Sequence, residues 1–268
     1  MAAKKTVALA FSGSGFKFPA HVGALLAVEE AGYEIVELAG TSGGSLVASL
    51  FAAGMSSQEL KTLSLNRDWS DMMSFDLWSL MFHSGMCSGD NLQSFLLNHT
   101  SHKTFGELKI PLTVVASDLT YGRPYLMSKA TTPGLKVGLA SRASSSIPVI
   151  YSPVQIGDST LVDGGLVNNI PVDRLTSDAD IKLGVQLVGQ PTSYAKKVSS
   201  FTDLAKRTID LMLTVSENSH ISSAVMQGSK MAFVDTGSAS ALDRNMTRAL
   251  RETLLESGYN AVKKTLAG

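Results

Sequence analysis

A serine and an aspartate, each in a glycine-rich turn, are the residues of this 268-residue chain whose surroundings point to covalent chemistry. Gly40-Thr41-Ser42-Gly43-Gly44 fits the pattern G-x-S-x-G, in which the serine lies on a sharp turn between a strand and a helix. Such a turn presents the serine Oγ at the top of a sheet, where it can attack an acyl carbonyl. The pattern predicts Ser42 as a nucleophile; the alternative is a structural turn with an inert serine.

A serine hydroxyl needs a base to take its proton, and two groups in the sequence fit that role. Asp163 ends a predicted strand and opens the flexible turn Asp163-Gly164-Gly165, where the backbone can approach closely. The order Ser, Asp, His along the chain also permits a triad with His220. We predict Asp163 as a functional partner of Ser42; the triad and an Asp163 that only caps its turn remain alternatives.

A second glycine-rich loop follows the first predicted strand and opens the first predicted helix. The backbone N–H groups of Gly13, Ser14 and Gly15 lie at the positive end of that helix dipole. We expect them, with Gly43 after the nucleophile, to bind an oxyanion or the substrate. The dinucleotide fingerprint G-x-G-x-x-G is incomplete because Phe18 replaces its third glycine, and no Walker A pattern occurs, so nucleotide binding is disfavoured.

The elements that must position these residues alternate between a short apolar run, a glycine-rich loop and a helical pattern. This unit occurs twice in the first fifty residues, with strands at 7–11 and 35–39 and helices at 19–31 and 45–53. The repetition predicts a three-layer α/β/α fold with a mainly parallel central sheet, in one domain spanning 1–268. Further strands are expected at 112–117, 160–162, 181–188 and 231–234, and further helices at 57–65, 201–215 and 243–266.

Composition excludes several classes of function. The 23 Lys+Arg balance the 23 Asp+Glu, so no basic surplus favours nucleic acid. The single cysteine, Cys87, cannot form an internal disulfide, and the five histidines lack metal-ligand spacing, so we expect no metal or other cofactor. No apolar run is long enough for a membrane span, and the first strand is too short for a signal peptide. A cytoplasmic location is expected, although a secreted protein without disulfides fits as well.

Residues 68–89 interrupt this alternation and are rich in methionine and aromatic side chains, including Trp78 and Phe82. One interpretation is a core helix. The other is a lid or cap at the rim of an acyl-chain pocket, which also touches a membrane surface. Because the net charge is zero, such membrane contact should be peripheral and mainly apolar.

In combination, these segments resemble the patatin-like phospholipase family. Its three signatures occur in order, as a glycine-rich loop at 13–18, the G-x-S-x-G turn at 40–44 and a D-G-G turn at 163–165. Segments 116–120, 142–148 and 169–171 are also similar to the family, and the likeness covers about 6–190. The resemblance implies an α/β/α lipid acyl hydrolase with a Ser–Asp dyad and no catalytic histidine. Ser42 would attack a fatty acyl ester, Asp163 would take its proton, and amides around Gly13, Ser14 and Gly15 would hold the oxyanion.

The chain departs from the family in that loop, which usually has three glycines, a basic residue and another glycine. Lys17 keeps the positive charge, whereas Ser14 and Phe18 replace glycines. If position 14 requires a positive φ, serine costs roughly 1 kcal/mol there. The departure leaves open a catalytically weakened lipid-binding protein, and an acyltransferase would use the same nucleophile. A β-lactamase type is disfavoured, because the S-x-x-K matches at 14–17 and 193–196 lack a following K-T-G.

Overall fold

A computed structural model describes residues 4–73, 85–189, 225 and 228–268. In those ranges the strands are β1 (Thr6–Phe11), β2 (Glu34–Thr41), β3 (Gly85–Cys87), β4 (Leu112–Asp118), β5 (Arg123–Ser128), β6 (Val149–Tyr151), β7 (Val154–Ile156), β8 (Ser159–Asp163), β9 (Ile181–Val188) and β10 (Lys230–Asp235). The α-helices there are α1 (Pro19–Glu30), α2 (Gly43–Ala52), α3 (Ser57–Asn66), α4 (Asp90–His99), α5 (Val137–Ser144) and α6 (Arg248–Ala267).

The strands form one mixed sheet in the order β10-β9-β1-β2-β4-β8-β7, with β5 also paired to β4. The pairs from β10 to β4 along this order are parallel, whereas β5, β7 and β8 pair antiparallel. β3 and β6 pair separately as a short parallel ladder. The predicted α/β class, with a mainly parallel sheet flanked by helices, is confirmed.

β1 lies inside the sheet and is buried on both faces, as is typical of a parallel sheet covered on both sides. Leu9 and Phe11 point into the larger core, to which the described helices contribute. Ala8 and Ala10 point into a smaller core on the opposite face, closed by a 3₁₀ turn at Pro171–Arg174. Packing on both faces therefore fixes β1, and the loop that follows it begins at a fixed strand end.

The C-terminal helix α6 packs closely on α1 because each helix places a glycine against the other. A Cβ on Gly23 would lie 2.8 Å from the carbonyl carbon of Leu255, and a Cβ on Gly258 would lie 2.7 Å from that of Ala20. The sequence predicted this helix from residue 243, but it begins five residues later because the side chain of Thr247 caps it.

Other sequence predictions have mixed outcomes. The strand predicted at 181–188 is present with those bounds, and the other five predicted strands and the helices at 19–31 and 57–65 are present with small shifts of their ends. The helix predicted from residue 45 begins at Gly43. β3, β5, β6, β7, α4 and α5 were not predicted, and the helix predicted at 201–215 lies outside the described residues. The single-domain interpretation stays a prediction. None of the helices in the described ranges combines the length and apolarity of a bilayer span.

The predicted lid or cap at 68–89 is described only at its two ends. A 3₁₀ turn at Ser70–Met73 begins it and β3 lies near its end, while 74–84, with Trp78 and Phe82, lie outside the described residues. Both interpretations of this segment therefore stay predictions.

Candidate active site

Ser42 lies on a sharp turn between β2 and α2. Its backbone has φ 51° and ψ −129°, a conformation that costs a non-glycine residue on the order of 1–3 kcal/mol. The turn also requires small neighbours, since a Cβ on Gly40 would lie 2.7 Å from Ser45 Cα and one on Gly44 would lie 2.6 Å from the Phe11 carbonyl oxygen. This is the strained strand-to-helix turn that the G-x-S-x-G pattern predicts.

Asp163 ends β8 and lies directly against the serine. Its Oδ2 accepts the Ser42 hydroxyl at 2.6 Å, and its Oδ1 accepts the Gly165 N–H at 2.8 Å. The sheet brings the two together because β4 lies between β2 and β8, with Thr41 paired to Val115 and Ala116 paired to Asp163. The two predicted residues therefore form one hydrogen-bonded pair.

The Asp163 carboxyl is buried, with 5% of its surface exposed, and this burial changes its acidity. Loss of water raises its pKa from 3.8 to about 6, although the hydrogen bonds from Ser42 and Gly165 partly oppose the rise. A base works best when its pKa lies near the operating pH. Burial thus makes this carboxylate a better proton acceptor than an aspartate in water.

The glycine-rich loop after β1 lies beside the Ser42 turn. A Cβ on Gly43 would lie 2.6 Å from the Gly15 carbonyl oxygen and 2.9 Å from the Gly15 nitrogen. In the described part of the chain, the N–H groups of Gly15 and Gly43 donate to no acceptor, and both residues line the cleft above Ser42. The Gly13 N–H instead donates to the Asn169 carbonyl at 3.0 Å, so the expectation of a free oxyanion donor at Gly13 is not met.

The loop's two departures from glycine are accommodated without left-handed strain. Ser14 has φ −142°, so position 14 does not require a positive φ and the conditional cost of a serine there does not arise; the positive φ of 52° falls on Gly15. Phe18 is buried and packs edge-on against Trp69, with ring centroids 4.8 Å apart. Lys17 donates to Thr236 Oγ1 at 3.2 Å.

An apolar cleft opens above Ser42 and contains about 480 Å³ of atom-free space, part of it open to solvent. Its wall includes Phe18, Leu46, Trp69, Met72 and Tyr151, and none of the described residues that line it carries a charged side chain. The Tyr151 hydroxyl donates to the Met72 carbonyl at 3.0 Å and so holds part of this wall. The cleft thus offers an apolar chain a place directly beside the serine.

Comparison with known families identifies the family of this chain. The profile described as patatin-like phospholipase matches residues 9–176, which include both members of the pair and the glycine-rich loop. The chain belongs to the patatin-like phospholipase family. The family relation supports lipid acyl hydrolysis as the general activity, and with it a lipid substrate.

Two individual relatives are similar to this chain at less than 30% sequence identity. The uncharacterized protein YqhO of Bacillus subtilis is 28% identical over 274 residues, which cover 92% of this chain and 94% of that protein. An uncharacterized NTE family protein of Mycobacterium bovis is 27% identical over 191 residues, which cover 71% of this chain and 51% of that protein.

Two solved structures share the fold of this patatin-like chain. VipD from Legionella pneumophila has a TM-score of 0.67 at 16% identity, with 98% of this chain and 67% of that one covered. ExoU of Pseudomonas aeruginosa, crystallised with SpcU, has a TM-score of 0.55 at 18% identity, with 98% of this chain and 52% of that one covered. The chain thus spans about half the length of ExoU and of the mycobacterial relative.

The histidines of the described ranges do not join the Ser42–Asp163 pair. His21 is fully buried, its Nε2 donates to the Ser12 carbonyl at 2.8 Å, and burial lowers its pKa to about 3. His220 lies outside the described residues, so the triad alternative stays a prediction. No cluster of three or more potential metal-ligating side chains occurs in the described part of this patatin-like chain.

Sequence reasoning missed a group of serines that surround the pair. Ser144 Oγ accepts the Ser42 N–H at 2.8 Å, the Ser146 carbonyl accepts the Asp163 N–H at 2.9 Å, and Ser117 Oγ donates to the Asp163 carbonyl at 2.7 Å. The similarity of segment 142–148 to the patatin-like family was the only sequence signal for them, and it carried no role.

Proposed function

We propose that this protein is a lipid acyl hydrolase that cleaves fatty acyl esters through a serine acyl-enzyme, with Ser42 as nucleophile and Asp163 as base. One observation carries the proposal: the Ser42 hydroxyl donates to the buried Asp163 carboxylate at 2.6 Å beside an apolar cleft. The family relation supports the general activity, and the geometry supports the assignment of roles.

In the acylation step, Ser42 Oγ bonds to the ester carbonyl carbon while its proton moves to Asp163 Oδ2. Negative charge develops on the former carbonyl oxygen, where the N–H groups of Gly15 and Gly43 and the N-terminus of α2 would stabilise it. The protonated Asp163 then gives its proton to the departing alcohol, which leaves the acyl group on Ser42. A pKa of about 6 suits both halves of this transfer at neutral pH.

Deacylation follows the same steps with water as the attacking group and Ser42 as the leaving group. Water replaces the alcohol, Asp163 takes a proton from it, and the new hydroxyl bonds to the acyl carbon. Collapse of the intermediate breaks the bond to Ser42 Oγ, which regains its proton from Asp163. The products are a free fatty acid and the regenerated pair. If another alcohol or a protein acceptor replaces water, the same steps give acyl transfer.

The uncharged wall of the cleft supports an acyl chain as the group bound beside Ser42, since each buried methylene contributes about 0.8 kcal/mol. We also propose peripheral, mainly apolar contact with a lipid surface through segment 68–89. Trp78→Ser with Phe82→Ser should then lower activity on vesicles more than on a short soluble ester. Equal losses on both substrates would favour a core helix instead.

The experiment that tests the nucleophile is intact-mass analysis after exposure to a serine-directed fluorophosphonate. We expect one adduct that peptide mapping places on Ser42 and that Ser42→Ala removes, with release of fatty acid lost in the same variant. Asp163→Asn should nearly abolish turnover, whereas His220→Ala should keep most of it. No adduct on folded protein would favour lipid binding without turnover, and the opposite behaviour of the Asp163 and His220 variants would contradict the dyad.

A further inference from the structure

The strained backbone of Ser42 must be held by its hydrogen bonds. Its carbonyl accepts the Ser45 hydroxyl at 2.6 Å and the Leu46 N–H at 3.2 Å, both from within α2. Its N–H donates to Ser144 Oγ at 2.8 Å, at the end of α5. One side of the turn is thus held by α2 itself, and the other side by a hydroxyl from a different helix.

The hydroxyl of Ser144 has both of its hydrogen-bonding directions assigned. Its proton goes to the Val115 carbonyl at 2.5 Å, so a lone pair is left to accept the Ser42 N–H. Ser144 is fully buried, and Val115 lies on β4 directly opposite Thr41, the residue before the nucleophile. The hydroxyl therefore bridges the central sheet and the nucleophile's backbone at a place that water does not reach.

The segment that contains Ser144 also contacts Asp163. The Ser146 carbonyl accepts the Asp163 N–H at 2.9 Å, and Arg142 donates to Ser146 Oγ at 2.5 Å. Arg142 is buried and also donates to the Ser152 carbonyl at 3.0 Å, which fixes this segment against the start of β7. Residues 144 and 146 are thus tied to the two members of the pair, one to each.

We infer that Ser144 is a positioning residue, whose hydroxyl fixes the Ser42 backbone so that Oγ stays on the Asp163 carboxylate. The inference rests on the proposed function. Without this hydroxyl, the Ser42 N–H and the Val115 carbonyl lose their shared partner, and the strained turn can relax. Reacting groups that shift by about 1 Å can lose about 100-fold in rate. The loss should fall on the chemical step, because Ser144 does not line the cleft.

The test compares Ser144→Thr with Ser144→Val on a short soluble ester. The two side chains have nearly the same shape and differ in the hydroxyl, so any steric effect of the added methyl is common to both. We expect kcat of the valine variant to be at least about tenfold below that of the threonine variant, with KM equal within about threefold. Equal kcat values would overturn the inference.

Three further variants complete the design. Ser144→Ala removes the hydroxyl without adding bulk and decides the question if the first pair does not fold; kcat within about threefold of wild type would overturn the inference. Ser49→Ala is the matched control, because Ser49 is a buried serine in α2 whose hydroxyl has no hydrogen-bond partner among the described residues, and the kcat of this variant should be unchanged. Turnover that survives Ser42→Ala would refute the proposed function itself, whereas an inactive Ser42→Ala beside an active Ser144→Ala refutes only the role of Ser144.

Discussion

Asp163→Asn should make the folded protein more stable at neutral pH while it abolishes turnover. The carboxyl has a pKa of about 6 when folded and 3.8 as its reference value, a rise of roughly two units. At 1.36 kcal/mol per unit, burial of the charged carboxylate costs about 3 kcal/mol of folding free energy above pH 6. The asparagine is uncharged at every pH and avoids this cost.

The direction of the effect follows from proton binding. Between pH 3.8 and 6 the folded wild type holds a proton on Asp163 that the unfolded chain has lost, so its stability falls as pH rises through this window. Below the window both states are protonated and the cost is absent. The free energy of unfolding of Asp163→Asn minus that of wild type should therefore grow by about 2.4 kcal/mol from pH 4 to pH 7.

The substitution is conservative enough to isolate this effect. The asparagine oxygen can accept the Gly165 N–H as Oδ1 does now, and its NH₂ can donate to Ser42 Oγ. His21 has the opposite pH dependence, because its pKa is lowered to about 3, but it is present in both proteins and cancels in the difference. Asp158→Asn, in an exposed turn between β7 and β8, removes the same formal charge and serves as the control.

The assay is urea unfolding of both proteins at half-unit steps from pH 4 to pH 8, followed by circular dichroism. Equal dependence of the unfolding free energy on urea concentration would show that the two proteins expose the same surface on unfolding. A stability difference that is flat across this range, or that shrinks as pH rises, would refute the argument that burial raises this pKa.

Three further substitutions test other parts of the structure. Gly43→Ala should reduce fluorophosphonate labelling at least about tenfold, because its Cβ would lie 2.6 Å from the Gly15 carbonyl oxygen. Labelling within about threefold of wild type would contradict the close contact between Gly43 and the Gly15 loop. Ser14→Gly should lower the free energy of unfolding by about 0.4–1 kcal/mol, because glycine makes the unfolded chain more flexible and Ser14 has no left-handed strain that glycine could relieve. A variant more stable than wild type would contradict the φ of −142° at this position. Gly258→Ala should destabilise the protein by about 1–3 kcal/mol through its contact with α1, while Gly134→Ala, in open space, is the control in the same thermal melts.

The sequence predicted the parts of the fold that are marked by local signals. β1, α1 and β2 are bounded by glycine and proline, and β9 has the predicted bounds because the run 181–188 is rich in β-branched and other apolar residues. α5 was missed because its eight residues are fewer than the roughly 11–18 over which a helical period is read from sequence. The antiparallel strands β5 and β7 depend on pairing with β4 and β8, which a local pattern does not contain.

The site was predictable where its chemistry is encoded in a short motif. Ser42 and Asp163 were predicted from their glycine-rich turns, and the structure places them in one hydrogen bond. The occupied amide of Gly13 was not predictable, because its acceptor, Asn169, is more than 150 positions away along the chain. Ser144 was missed for the same reason, since its role depends on a contact between α5 and the Ser42 turn.

Burial of Asp163 connects the chemistry of the site to the stability of the fold. The absence of water that raises the pKa of this carboxyl makes it a stronger base, and it also makes the folded protein less stable above pH 6. The strained turn at Ser42 adds a second cost in the same place. Both costs are offset by contacts from elsewhere in the chain, chiefly the apolar cores on the two faces of the sheet and the hydrogen bonds from α5 and β4. A change that admits water to Asp163 should therefore stabilise the protein and slow proton transfer together, because one physical cause controls both.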